Sequence, residues 1–156
     1  MTMELRIVRE VPITLKPRAI EKAVRDFVND VDSIKDKDGF FNQALKRIAE
    51  SLIFGRHDSD IWIAEEDGDV KAFVICHIVA DVDDKIGYWV YEPYIVAELR
   101  ANGFMKAQWS KLKDRAKSLM CQRMIVMTAH DKEKMDRFLG EEFVEHAKIL
   151  KISLEE

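Results

Sequence analysis

Apolar residues recur with two periods along this chain, and the switches between them divide it into elements. Met3 to Val11 alternates, with Leu5, Ile7 and Val11 set against Arg6 and Arg9, which predicts a first strand ended by Pro12. Pro17 suits the first turn of a helix, and Ile20, Val24, Phe27 and Val31 carry an apolar stripe to about Ser33. The run IKDKDG reads as a charged turn closed by Gly39. A second helix follows, with Phe41, Leu45, Ile48 and Leu52 inward and an end near Gly55. After the polar loop RHDSD the period falls to two. Ile61 to Glu66 is a strand, Asp67-Gly68-Asp69 a tight turn, and Val70 to Ala80 a strand apolar on both faces except at Lys71 and His77. That pattern belongs to a central position in a sheet. Asp81 to Lys85 turns the chain, and Ile86 to Val96 returns antiparallel.

From Pro93 to Cys121 the chain reads as a strand end, a short polar turn with one glycine, and a long amphipathic helix. Its apolar face is Met105, Trp109, Leu112, Ala116 and Leu119. Arg123 to Thr128 is a short buried strand, His130 to Leu139 a helix closed by Gly140, and Phe143 to Leu154 a last strand. The order β-α-α-β-β-β-α-β-α-β predicts an α+β (mixed α/β) fold in a single domain over residues 1–156. One mostly antiparallel central sheet would carry helices on both sides.

Charge changes this picture in one place. The chain of 156 residues has net charge −4, but Pro93 to Arg123 holds seven basic residues against two acidic ones. A strand feeding a helix through Arg-Ala-Asn-Gly would leave backbone N–H groups unpaired at the positive end of a helix dipole, a setting that suits a phosphate. Apolar residues at 47% and charged residues at 35% exclude wholesale disorder. A pI near 5.6 argues against a nucleic-acid partner. Cys76 and Cys121 lie in apolar segments without metal-ligand spacing, as expected of buried free thiols. No signal-peptide pattern or membrane span is present, so the reading is cytoplasmic. Neither a metal site, a P-loop nor a dinucleotide fingerprint is visible.

The element order, with Arg100-Ala101-Asn102-Gly103-Phe104-Met105 at the turn into the long helix, resembles the GNAT superfamily of acyl-CoA N-acyltransferases, as a divergent member. The family hallmark is Arg/Gln-x-x-Gly-x-Gly/Ala; Arg100 and Gly103 match it, and Met105 replaces its small last residue. Phe138-Leu139-Gly140 with Phe143 looks like a stretched form of the family's Leu-Gly-Phe corner. The resemblance implies an N-acetyltransferase that moves an acetyl group from acetyl-CoA, the co-substrate, directly to a primary amine, without a metal. Ile95, Val96 and Ala97 would lie along the pantetheine arm, and Leu99 to Met105 (Leu99, Arg100, Ala101, Asn102, Gly103, Phe104, Met105) would wrap the pyrophosphate with main-chain N–H groups. The lysines that follow would face the adenosine phosphate. Met105 also fits the core stripe with Trp109.

Transfer to an amine needs a base for the amine and a proton for the leaving thiolate. Glu92, near the end of the strand that leads to the turn, is the candidate base. The family's tyrosine acid falls at Asp136 in this register, and its asparagine at His130-Asp131, so Tyr88, Tyr91 and Tyr94 remain as substitutes, with Tyr88 on the same strand face as Glu92. His77 is expected to pair near Val90 and reads first as a core histidine. The acidic turns Asp58–Asp60, Glu65–Asp69 and Asp81–Asp84 would flank the acceptor side and favour a cationic amine. The acceptor, small molecule or protein, is not named by any motif, and a homodimer is left open. The alternative reading is a catalytically inactive GNAT fold that serves as a binding or protein-interaction module. Met105 and the missing tyrosine favour it. A phosphate-ligand or RNA-binding domain using the same basic helix is remoter.

Overall fold

Ser59–Glu66 (β2) and Asp69–Ala80 (β3) form the hairpin on which the sheet is built. The computed structural model describes residues 3–10, 17–32, 34–54, 58–80, 83–91, 93–128 and 131–144. Asp67 and Gly68 at the hairpin tip both have positive φ, 51° and 83°, the two-residue turn whose twist matches that of the strands it joins. β3 is paired along both edges, as its doubly apolar pattern requires. Outside β2 lies Arg6–Ile7 (β1), antiparallel and much shorter than the predicted Met3–Val11, because Val8–Glu10 turn into a 3-10 helix. On the other edge of β3 lies Ile86–Tyr91 (β4), and beyond it Arg123–Met127 (β6) runs parallel to β4. Of the predicted final strand Phe143–Leu154, Phe143 and Val144 are described and lie in no strand; the rest falls outside the described residues.

The predicted strand Ile86–Val96 is broken in two. Cys76 pairs with Val90, and Phe73 pairs with Tyr94 in the two-residue strand Tyr94–Ile95 (β5). Between those pairs β3 has two residues and its partner three, so one residue is extra, the signature of a β-bulge. Pro93 sits there and has no N–H to offer a ladder. The turn before β4 is also displaced by a residue. Ala80 faces Ile86 across five residues centred on Asp83, so His77 pairs with Trp89, one residue before Val90. His77 therefore shares a sheet face with Trp89 and Tyr91, opposite to that of Tyr88.

Helices cover both faces. Pro17–Asp30 (α1) and Lys37–Phe54 (α2) pack over β3 and β2 around Val24, Val28, Phe41 and Ile48. Gly39 does not close a turn; it lies in the first turn of α2, where its N–H meets the Asp36 carboxylate at 2.9 Å. The opposite face holds Ala97–Ala101 (α3), Phe104–Ser118 (α4) and Lys132–Leu139 (α5), with Leu112, Trp109 and Leu139 in the core. Each such side chain contributes about 1.5–3 kcal/mol by leaving water. The α4 crossover is what makes β6 parallel to β4. Among the described residues no helix is long and apolar enough to cross a membrane.

Candidate functional site

The bulge opens the sheet. β4 and β6 stay paired as far as Tyr91 and Met127, but β5 pairs only with β3 among the described residues, so a gap begins at that fork. Tyr94 is pulled to the α1 side, where its ring lies 5.8 Å from Phe27 and 5.5 Å from Phe73. Burial raises its hydroxyl pKa, an effect that Asp26 and Asp30 reinforce. Ile95 packs on the α4 side. Val96 donates its N–H to Lys71 O at 3.0 Å. Strand alternation then turns the N–H and C=O of Ile95 away from β3 and into the gap. Of the three residues expected along a pantetheine arm, Ile95 alone offers both main-chain groups. The Val96 carbonyl accepts from Leu99 and Arg100, and Ala97 is already the first residue of α3.

At the mouth of the gap the chain makes its second departure from a plain strand-turn-helix. The N–H groups of Leu99, Arg100, Asn102 and Gly103 are taken up within the α3 turn. Those of Phe104, Met105 and Lys106, at the start of α4, donate to no described residue. Gly103 caps α4 with φ +67°, a left-handed conformation, and a Cβ there would meet no atom within 4 Å. Space and free donors coincide. Met105, the residue that departs from the motif, is 1% exposed and packs in the core with Trp109 and Leu112, so its side chain does not narrow the mouth.

The local excess of positive charge is mostly neutralised. Lys111 binds Glu4, Lys113 binds Glu141, Arg115 binds Asp60 and Arg123 binds Asp83. Among the described residues Arg100, Lys106 and Lys117 have no carboxylate partner, and the first two flank Gly103. α5 ends beside them. Gly140 is left-handed at φ +69°, and a Cβ there would lie 2.7 Å from Lys106 Cε, so the glycine lets the lysine stem cross it.

Asp136, at the tyrosine position, is bound by Lys132 Nζ at 2.5 Å and by the Phe143 N–H at 2.9 Å. Those two contacts hold its carboxyl below the ordinary value of 3.8, so it is ionised at neutral pH and cannot donate a proton to a thiolate. A depressed folded-state pKa adds stability that is present above the unfolded value and lost as pH falls through the folded one. Urea titrations from pH 5 to about pH 2.5 should therefore show a shallower acid loss in Asp136→Asn, which keeps the acceptor for Phe143 but not the charge. An unchanged acid limb would show that the pair contributes nothing.

Two other expected site residues are Glu92 and Tyr88. Glu92 lies outside the described residues, as does His130. Tyr88 is fully buried: its hydroxyl accepts from Trp62 Nε1 and donates to Asp60 Oδ2, both at 2.9 Å. Burial, with Cys76 and Asp60 adding to it, pushes that hydroxyl far above its ordinary pKa. The side chain belongs to a buried network and does not face the gap. Asp60 is the centre of that network and was legible only as one acid of a polar loop. At 1% exposure it holds Arg9 and, through two nitrogens, Arg115. The three acidic turns do not all converge: Asp58–Asp60 and Asp83–Asp84 lie at the C-terminal end of β3, and Glu65–Asp69 at the other. Cys76 is fully buried, which raises its thiol pKa strongly and leaves it inert; Cys121 is half-buried and also raised by burial.

Comparison with known proteins agrees with this geometry. The model of the acetyltransferase (GNAT) family matches residues 22–142. No curated protein matches the sequence. Among solved structures, a Pyrococcus furiosus protein assigned as an acetyl transferase superposes with TM-score 0.69 at 17% identity, over 98% of this chain and 100% of that one. Glucosamine-6-phosphate N-acetyltransferase from Arabidopsis thaliana gives 0.65 at 14%, over 99% and 100%. AAC(6')-Iy, in complex with the bisubstrate analog CoA-S-monomethyl-acetylneamine, gives 0.67 at 16%, over 98% and 99%. These structures share the fold, and the family match covers well over half of the sequence: the chain belongs to the GNAT acetyltransferase family.

Proposed function

We propose that the protein transfers an acetyl or other short acyl group from an acyl-coenzyme A to a primary amine. The observation that carries this reading is the convergence at the fork. The free main-chain pair of Ile95 leads to three free N–H groups at the start of α4, with Arg100 and Lys106 on either side of Gly103. A pantetheine arm fits the first, since its amides need one donor and one acceptor from an unpaired strand edge. A pyrophosphate fits the second. The acyl-CoA supplies a thioester; the reaction forms an amide C–N bond, breaks the C–S bond, and leaves the amine proton and the thiolate to be matched. Glu92, one residue beyond Tyr91 at the fork, is the proposed acceptor of the amine proton. With Asp136 ionised, the thiolate takes its proton from solvent or leaves as the anion. The complex of the similarly folded AAC(6')-Iy with a CoA bisubstrate analog supports the pairing of coenzyme A with an amine acceptor.

Calorimetric titration with acetyl-CoA, followed by thiol release with a panel of amines, tests the reading. Saturable binding and amine-dependent release of coenzyme A are expected. A folded chain that shows no saturable heat up to about 1 mM, a binding energy near 4 kcal/mol, overturns it. Binding without release from any amine would instead favour the non-catalytic module, the reading to which the ionised Asp136 points.

A further inference from the structure

Among the described residues the face of the sheet that carries α1 and α2 is only half covered. α1 lies over β3 and α2 over β2, and no described helix crosses β4 or β6 on that side. Trp89 and Tyr91 of β4 and Ile125 and Met127 of β6 alternate onto this face and remain partly exposed, Tyr91 at 36%. They form a partly exposed strip that ends at the fork. From α2, on the same face, Arg47 reaches His77, with Nη1 on Nε2. A guanidinium only donates, so Nε2 is the acceptor nitrogen of a neutral ring. The ring proton is then on Nδ1, 2.9 Å from Ser59 Oγ. His77 is 8% exposed, and its ring meets Tyr91 edge to face at 5.0 Å. Ser59, His77 and Arg47 thus form a chain that starts in the core and presents a guanidinium on the sheet face that carries Tyr91.

This arginine is held in an unusual way. A carboxylate partner would fix it and cancel its charge; a neutral imidazole fixes it and leaves the charge intact. Among the described residues Arg47 has no carboxylate partner, and its Nε and Nη2 donors are unengaged. Two donors in a planar fork match the two oxygens of a carboxylate or phosphate.

We propose that Arg47 binds an anionic group, carboxylate or phosphate, carried by the amine acceptor, whose carbon skeleton lies over Trp89 and Tyr91. This rests on the acyl-transfer reading for the word acceptor, but not for the binding. His77 and Ser59 position the guanidinium. The preferred substrate is then an amino acid or amino phosphate, in place of the cationic amine expected from the acidic turns.

The test uses four probes with the full chain: O-phosphoethanolamine, β-alanine, ethanolamine and putrescine. Ligand-observed NMR without acetyl-CoA reads binding, and thiol release with acetyl-CoA reads kcat and KM. The anionic amines should bind about 10- to 100-fold more tightly than ethanolamine, and the stronger of the two identifies phosphate or carboxylate as the group. Arg47→Gln, an exposed change, should erase that margin and raise KM for the anionic amines alone. His77→Leu should do the same, while His77→Gln, whose amide still accepts from Arg47, should keep most of the preference. Ethanolamine or putrescine bound as tightly as the anionic amines would overturn the proposal, as would an Arg47→Gln effect equal on all four. Failure of the acetyl-CoA titration leaves the binding arm readable, so the two ideas fail separately.

Discussion

Asp60→Ala is expected to lower the unfolding free energy by about 2–4 kcal/mol in urea titration. The carboxylate is 1% exposed and accepts from Arg9 at 2.9 Å, from Arg115 at 2.8 and 3.1 Å, and from Tyr88 at 2.9 Å. Alanine removes all four bonds and leaves two guanidiniums facing each other across a hole. Breaking a fully buried pair costs about 3–5 kcal/mol. Here the arginine side chains are 28% and 30% exposed, so water recovers part of that. Asp60→Asn keeps the shape and should fall between the two. Tyr88→Phe tests the same network from its neutral end: it orphans the Trp62 N–H and should cost about 1–3 kcal/mol with kcat unchanged. A catalytic Tyr88 predicts the reverse, intact stability and lost kcat. A loss under about 1 kcal/mol for Asp60→Ala would mean that the arginines find water as easily as they find the carboxylate.

What could be read from the chain and what could not divide along the range of the interactions. The helices and the β2–β3 hairpin follow from local period and turn chemistry, so Trp109, Leu112 and Val74 are buried as their spacing requires. Gly103 was legible because Arg-x-x-Gly stands between a strand and a helix. The fork was not. Ile86 to Ile95 is a nearly continuous apolar run, and the extra residue shows only in the register against β3. The same holds for His77, displaced by one position because an odd five-residue loop has its centre on a residue and not on a bond. Charge was the least legible property. Lys111, Lys113 and Arg115 look like a free basic stripe until Glu4, Glu141 and Asp60, each far away in sequence, are folded against them. The main-chain donors at the mouth were overcounted for a similar reason: α3 consumes four of them, and although Ala97–Ala101 consists of strong helix formers, five residues are too few to show an apolar stripe.

Substitution of Gly103 should have the largest effect on ligand affinity of any single change, and an isosteric pair separates its causes. Asparagine and aspartate both tolerate the left-handed conformation that Gly103 adopts, and a Cβ there would meet no atom within 4 Å. Each should therefore fold, with a similar stability cost of about 1 kcal/mol. They differ only in charge. If the pyrophosphate of acetyl-CoA sits on the free N–H groups of Phe104 to Lys106, Gly103→Asp places a carboxylate within a few ångströms of it. At an effective dielectric near 20 that repulsion reaches about 4 kcal/mol at 4 Å, and solvent exposure at the mouth reduces it. A loss of about 100-fold in affinity is the expected result, against less than about tenfold for Gly103→Asn. Raising the salt concentration should narrow the gap between the two, because the repulsion is screened while the steric part is not. Equal affinities for the Asp and Asn variants would place the anion elsewhere. The flanking cations Arg100 and Lys106 would then need another explanation, and the fork alone would not make this chain a coenzyme A protein.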